Sequence, residues 1–138
     1  MFSLHPQLEK DCIEMGNFEL CRLLLMNDSN YPWFILVPER EDKQELFELD
    51  DDDLQLYIKE SNFLAQILKH YFYAHKINIA ALGNVVPQLH IHHIARYEND
   101  LCWPAPVWGA HPAVAYTEEQ LNKVMDVINK AMQETSAL

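Results

Sequence analysis

Residues 88–96 read Gln-Leu-His-Ile-His-His-Ile-Ala-Arg, and apolar residues separate Gln88, His90 and His92. An extended strand sends successive side chains to opposite faces, so this spacing predicts a row at Gln88, His90 and His92 aimed at one place. Histidine is seldom clustered for packing alone. Each ring brings a donor and an acceptor that need partners, and a charge that changes near neutral pH. The strand therefore anchors the fold and marks a candidate site at once. His93 falls on the other face by parity, which predicts an exposed or structurally bonded ring.

The remaining elements follow from local patterning. Phe18 to Met26 and Trp33 to Val37 are apolar runs separated by Asn27-Asp28-Ser29-Asn30-Tyr31-Pro32, a turn-forming segment that predicts two antiparallel strands. Asp50 to Asp53 precede Leu54, Tyr57, Ile58, Leu64, Ile67, Leu68, Tyr71 and Phe72, a helical stripe that predicts a helix from about residue 51 to about 74. The acidic run reads as a solvated, capped helix start. Ile77 to Leu82 reads as a strand, Gly83-Asn84 as a turn, and Val85 to Arg96 as a strand whose regular part begins near Gln88, because Pro87 lacks a ladder donor. Prolines exclude a regular helix between Glu98 and Pro112, where Trp103 and Trp108 are expected to pack the fold or a subunit interface. Thr117 and Gln120 form a capping-box signature ahead of Leu121, Val124, Met125, Ile128 and Met132, predicting a helix from about 118 to about 134. Together these elements predict an α+β fold with a mostly antiparallel sheet, one long helix packed on it and a C-terminal helix, in one domain over residues 1–138.

Composition narrows the function classes. A formal charge of −11 with only ten Lys and Arg argues against wrapping nucleic acid, which requires clustered cations. No run approaches the roughly 18 apolar residues that cross a bilayer, and the N-terminus lacks a basic-then-apolar leader, so no membrane contact and a cytoplasmic location are expected. Cys12, Cys21 and Cys102 lie far apart without a Cys-x-x-Cys pair and read as buried free thiols.

Two kinds of chemistry suit the row of imidazoles. A nucleophilic ring must be neutral at the attacking nitrogen and held in one tautomer from the other; His90 fits that role, with His92 as a donor to a phosphate oxygen or a leaving group. Gln88 offers an amide contact and no proton. Alternatively His90 and His92 ligate zinc with His111 or a carboxylate, although no third ligand has a recognisable spacing. Arg96, at the strand end, is expected to anchor the fold.

Gly83-Asn84-Val85-Val86-Pro87-Gln88-Leu89-His90-Ile91-His92-His93-Ile94-Ala95-Arg96 resembles the signature segment of the histidine triad (HIT) superfamily, and the hairpin ending Pro-Trp-Phe-Ile-Leu-Val-Pro resembles its second segment. The likeness spans roughly residues 17 to 97. It implies a nucleotidyl hydrolase or transferase acting on nucleoside phosphoramidates or dinucleoside polyphosphates, without cofactor or metal. His90 maps onto the histidine that carries a covalent nucleotidyl group, His92 onto a phosphate contact, and Gly83 and Asn84 onto the turn at the phosphates. Asn27 or Asp28 resembles the position that holds the ribose hydroxyls. Many such proteins are homodimers, which is the oligomer expected here. With Gln88 in place of one imidazole, the same resemblance also allows nucleotide binding with little turnover. Against a formal charge of −11, small nucleotides with local help from His92, backbone N–H groups and Arg22 or Arg96 are expected rather than DNA ends.

Departures from the pattern are Gln88 at the first triad position, Ala95 where proline is common, and a short loop between Ile77 and Gly83. Gln88 keeps the backbone carbonyl through which the first position is thought to orient the nucleophile, and is carried over as a catalytic position on that ground. Pro-Gln-x-His-x-His-His followed by Trp-Pro-x-Pro-Val-Trp-Gly resembles a bacterial branch labelled diadenosine-polyphosphate hydrolase.

Overall fold

The segment 27–32 turns the chain as predicted. It joins β2 (Cys21–Met26) to β3 (Trp33–Pro38), which pair antiparallel with Leu24 opposite Ile35 and Leu23 opposite Leu36. The computed structural model describes residues 1–135. Before the hairpin lie α1 (Pro6–Asp11) and β1 (Cys12–Asn17); after it come α2 (Asp51–His70), β4 (Lys76–Ala80), β5 (Ile91–Arg96) and α3 (Glu118–Glu134). The five strands form one sheet in the order β1-β2-β3-β5-β4, every neighbouring pair antiparallel.

Strand parity divides the core into two layers. Phe34 and Leu36 of β3, with Ile91 and Ala95 of β5, face the helices and pack with Leu64, Ile67 and Leu68 of α2 and Ile128 and Ala131 of α3. The other face carries Leu24, Trp33, Ile35, Val37 and Ile94, covered by Leu8 of α1, by Phe2 and Leu4, and by Val107 and Trp108 of the long loop. His93 lies in the first layer and is fully buried: its Nε2 accepts from the Ser61 hydroxyl at 2.7 Å and its Nδ1–H donates to the Ile91 carbonyl at 3.1 Å. It is structurally bonded, and exposure is excluded.

Element ends differ from expectation where local geometry intervenes. α2 stops at His70 rather than near 74, because Tyr73 adopts a left-handed φ of 57° and Ala74 N–H returns to the Leu68 carbonyl. Asp50 caps its start by accepting from Asp53 N–H, and Asp53 pairs with Arg40, as the capping reading requires. β4 begins one residue earlier and ends two earlier than predicted. The regular part of β5 starts at Ile91, not near Gln88: Leu36 opposite Ile91 is the last pair with β3, and Leu89 N–H turns aside to the Lys43 carbonyl. β2 starts at Cys21 because Phe18 to Leu20 form the connection to β1. α3 has the bounds and the Thr117–Gln120 capping box that its sequence announces. Of the thiols, Cys21 is buried while Cys12 and Cys102 are half-buried, a correction to the expectation of three buried ones. Among the described residues no helix is long and apolar enough to cross a membrane.

Candidate functional site

His90 sits just ahead of β5 and His92 is the second residue within it, with ring centroids 5.0 Å apart. They line a cavity of about 190 Å³ with Gly83 and Asn84 from the turn after β4, Trp33 from β3, Met26 from β2 and Trp108 from the long loop. A larger cavity of about 770 Å³ lies beside α2 and the end of α3, but its lining contains no histidine, so the chemistry points to the smaller one.

Each ring is held in one tautomer by its partners. The Gln88 carbonyl accepts from His90 Nδ1 at 2.7 Å. A carbonyl only accepts, so the proton is on Nδ1 and the lone pair is on Nε2. Burial lowers the pKa of His90, with a smaller contribution from the charge of His5, while the Gln88 contact opposes the shift. The ring is therefore neutral at physiological pH. His92 has the opposite tautomer: the Trp33 indole N–H donates to its Nδ1 at 2.9 Å and its Nε2–H donates to the Leu82 carbonyl at 3.1 Å. Burial and then the neighbouring His90 pull its pKa down to about 4.

Gly83 permits the close approach of its turn. A Cβ there would lie 2.9 Å from the Val86 carbonyl oxygen and 3.5 Å from His90 Cε1, so any side chain would push the turn or the ring. Gln88 divides its labour. Its backbone carbonyl orients His90, but its side chain leaves the row: Oε1 accepts from His5 N–H and Nε2 donates to the Ser3 carbonyl, both at 2.9 Å. The expected three-membered face is thus two imidazoles plus a residue that straps down the N-terminal segment. The reason is that Gln88 and His90 precede the ladder, where strand parity no longer dictates direction.

Asn27 and Asp28 do not line the cavity; Met26 does. Asn27 Oδ1 accepts from Tyr116 N–H, and buried Asp28 accepts from Asn30 and Val114 N–H, so both side chains secure the segment that leads into α3. Arg96 anchors the fold, bonded to Asp100 and Asn78, while Arg22 pairs with Glu39 and Glu14. Neither guanidinium is free for a phosphate. Trp103 packs against Arg96 and His75. Trp108 packs on His92 and Trp33, and its buried indole N–H has no protein acceptor among the described residues. No grouping of three or more His, Cys, Asp or Glu that could hold a metal ion occurs among the described residues, which weighs against the zinc reading.

Trp33 is the site residue that sequence reasoning missed. In the sequence it only opens an apolar strand, although an indole two strand positions from Ile35, itself opposite His92, places a donor on the imidazole face.

A HIT domain profile matches residues 7–99. The chain belongs to the HIT domain family. Histidine triad proteins of known structure share the fold: one from Marinobacter aquaeolei VT8 is 45% identical, with 97% of this chain and 98% of that one covered at a TM-score of 0.93. Another, from Sinorhizobium meliloti 1021, is 46% identical, with 94% and 96% covered at 0.91. Plasmodium falciparum diadenosine triphosphate hydrolase is 18% identical with a TM-score of 0.66, over 98% of this chain and 84% of that one, a likeness of fold alone. No curated protein matches. Within this HIT fold the two imidazoles, the glycine turn and the aromatic wall meet at one end of β5.

The buried rings make stability depend on pH. His92 and His93 both have folded pKa values of about 4, below their ordinary 6.5. Between those values the unfolded chain binds more protons, so stability is complete above the upper one and falls as pH drops toward the lower. The slope is about 1.4 kcal/mol per pH unit for each ring. Thermal melts from pH 7 to 4.5 are expected to show a steadily falling Tm, less steeply in His93→Gln; equal slopes in the two proteins would refute the assignment to His93.

Proposed function

We propose that this HIT protein is a nucleotidyl hydrolase or transferase in which His90 carries the nucleotidyl group covalently. The observation that supports this most is the His90 tautomer, with Nδ1–H on the Gln88 carbonyl at 2.7 Å and the Nε2 lone pair left for attack. His90 Nε2 bonds to the α-phosphorus of a dinucleoside polyphosphate or nucleoside phosphoramidate, and the bond from phosphorus to the leaving group breaks. The ring becomes cationic as the new P–N bond forms. Its Nδ1–H then donates more strongly to the Gln88 carbonyl, which stabilises the developing charge where it arises. His92 releases the Leu82 carbonyl and turns its Nε2–H to a phosphoryl oxygen. Gly83 and Asn84 bring the turn close to the phosphates, with backbone N–H groups as further donors. Water, or the hydroxyl of another acceptor, then bonds to the phosphorus and loses its proton to solvent, and the P–N electron pair returns to His90.

Met26, Trp33 and Trp108 give the cavity an apolar wall suited to a base or ribose, while Asn27 and Asp28 act indirectly by fixing the segment before α3. Mixing the protein with diadenosine triphosphate radiolabelled in the adenylyl groups and quenching within milliseconds to seconds is expected to give label on the protein that is acid-labile and alkali-stable, together with free mononucleotide. Product formed with no such label at any time would exclude the covalent route.

A further inference from the structure

Trp33 opens β3, and its indole packs among Tyr31, His92 and Trp108 with ring centroids 6.4, 5.7 and 5.8 Å away. An indole N–H donates and never accepts. Because it donates to His92 Nδ1, that nitrogen keeps its lone pair and the ring proton is on Nε2. The Leu82 carbonyl, an acceptor only, demands the same tautomer from the other side. A second proton on Nδ1 would set one N–H against another. The titratable neighbours His90 and His93 also oppose that proton, and no carboxylate bonds to His92 among the described residues. His92 is thus a neutral donor with no proton to give away, since a neutral imidazole that surrenders its N–H becomes an imidazolate.

Resting on the nucleotidyl-transfer reading above, we propose that Trp33 sets leaving-group specificity. By holding His92 as a neutral Nε2–H donor it suits the site to phosphoric anhydrides and disfavours alkylamine phosphoramidates. In an anhydride the P–O electron pair leaves on a phosphate oxygen, which is stable as an anion near neutral pH and needs no proton. In an alkylamine phosphoramidate the P–N pair leaves on nitrogen, which must gain a proton as the bond breaks. Trp33 therefore acts on the reaction through His92, as a positioning residue.

Trp33→Phe keeps an aromatic ring in the wall and removes the N–H. For the wild-type protein, kcat/KM is expected to be higher for diadenosine triphosphate than for an adenosine phosphoramidate of an alkylamine. In Trp33→Phe that ratio is expected to narrow by about tenfold or more, a fraction of the roughly 10²–10⁴-fold that a fully engaged general acid contributes. The ¹⁵N spectrum of wild-type His92 is expected to show Nε2–H alone from pH 5 to 8, with titration moving into that range in the variant. A wild-type preference for the phosphoramidate overturns the proposal, and so does an unchanged ratio in Trp33→Phe whatever its spectrum. The wild-type ratio and spectrum decide the matter if the variant does not fold. Failure to cleave either substrate would remove the nucleotidyl reading and this proposal together, whereas cleavage with an unchanged ratio removes only the proposal.

Discussion

His90→Ala is expected to lower nucleotidyl turnover by about a thousandfold or more and to abolish acid-labile label on the protein, because it removes the only atom proposed to bond with phosphorus. The size follows from the step that is lost. Without Nε2, water must attack the nucleotide directly, with only the His92 donor, the turn after β4 and binding to help. Those groups remain in place, so nucleotide binding should survive: His90 makes its protein contact to its own neighbour's carbonyl, and removing the ring leaves that carbonyl at a half-exposed position where water can reach it. The separation of effects is the informative part. Equilibrium binding of adenosine monophosphate within a few-fold of wild type, with kcat lost, identifies His90 as the nucleophile. A His90→Ala protein that still accumulates label would move the covalent role to another group, and one that turns over normally would end the nucleotidyl reading.

The pH profile adds an independent check. Burial lowers the pKa of His90, so the neutral, nucleophilic form prevails at neutral pH and declines only as acid protonates Nε2. The same ring that is inactive when protonated is thus protected from protonation by its own burial.

Much of the site was legible because it depends on short-range rules. The His90 and His92 pair, the Gly83 turn, the Asp50 cap of α2 and the capping box of α3 are local patterns, and each is present in the structure. What escaped depends on contacts between distant residues. The direction of the Gln88 side chain is decided by Ser3 and His5, more than eighty positions away, and no periodicity in residues 85–96 encodes it. Trp33 and His92 are separated by 59 residues and meet only because β3 and β5 are neighbours. Asn27 and Asp28 carry the right chemistry for a ribose, yet Asn27 Oδ1 already accepts from Tyr116 N–H and Asp28 Oδ1 from Asn30 and Val114 N–H. α1 and β1 went unseen for a different reason: α1 is six residues long, and β1 is an edge strand with Glu14 and Gly16 in a bulged register that hides the alternation.

Asp100→Ala is expected to destabilise the fold by about 3–5 kcal/mol, the usual cost of stranding one member of a buried ion pair. Arg96 and Asp100 side chains are 1% and 3% exposed, so solvent screens neither. The guanidinium donates twice to Asp100, from Nε at 2.8 Å and Nη2 at 3.1 Å, and lies over the rings of Trp103 and Tyr31. Burial works against ionisation of Asp100, but the bond from Arg96 and those from backbone N–H groups outweigh it and hold its pKa below the usual carboxylate value. Those backbone donors are Tyr97, Cys102 and Trp103, so one carboxylate both neutralises the arginine and folds the start of the loop that carries Trp108. Alanine removes both functions and leaves Arg96 with Asn78 as its principal polar partner. Urea denaturation at pH 7 measures the loss. Asp100→Asn retains an acceptor and is expected to cost less, and Arg96→Met combined with Asp100→Ala should recover part of the deficit because no uncompensated charge remains. A loss under about 1 kcal/mol in Asp100→Ala would mean that water reaches Arg96 and that the pair is a surface bridge in energetic terms. Because the loop delivers Trp108 to the wall beside His92, the folded fraction of Asp100→Ala should also bind nucleotide less tightly, which ties this buried pair to the site it never touches.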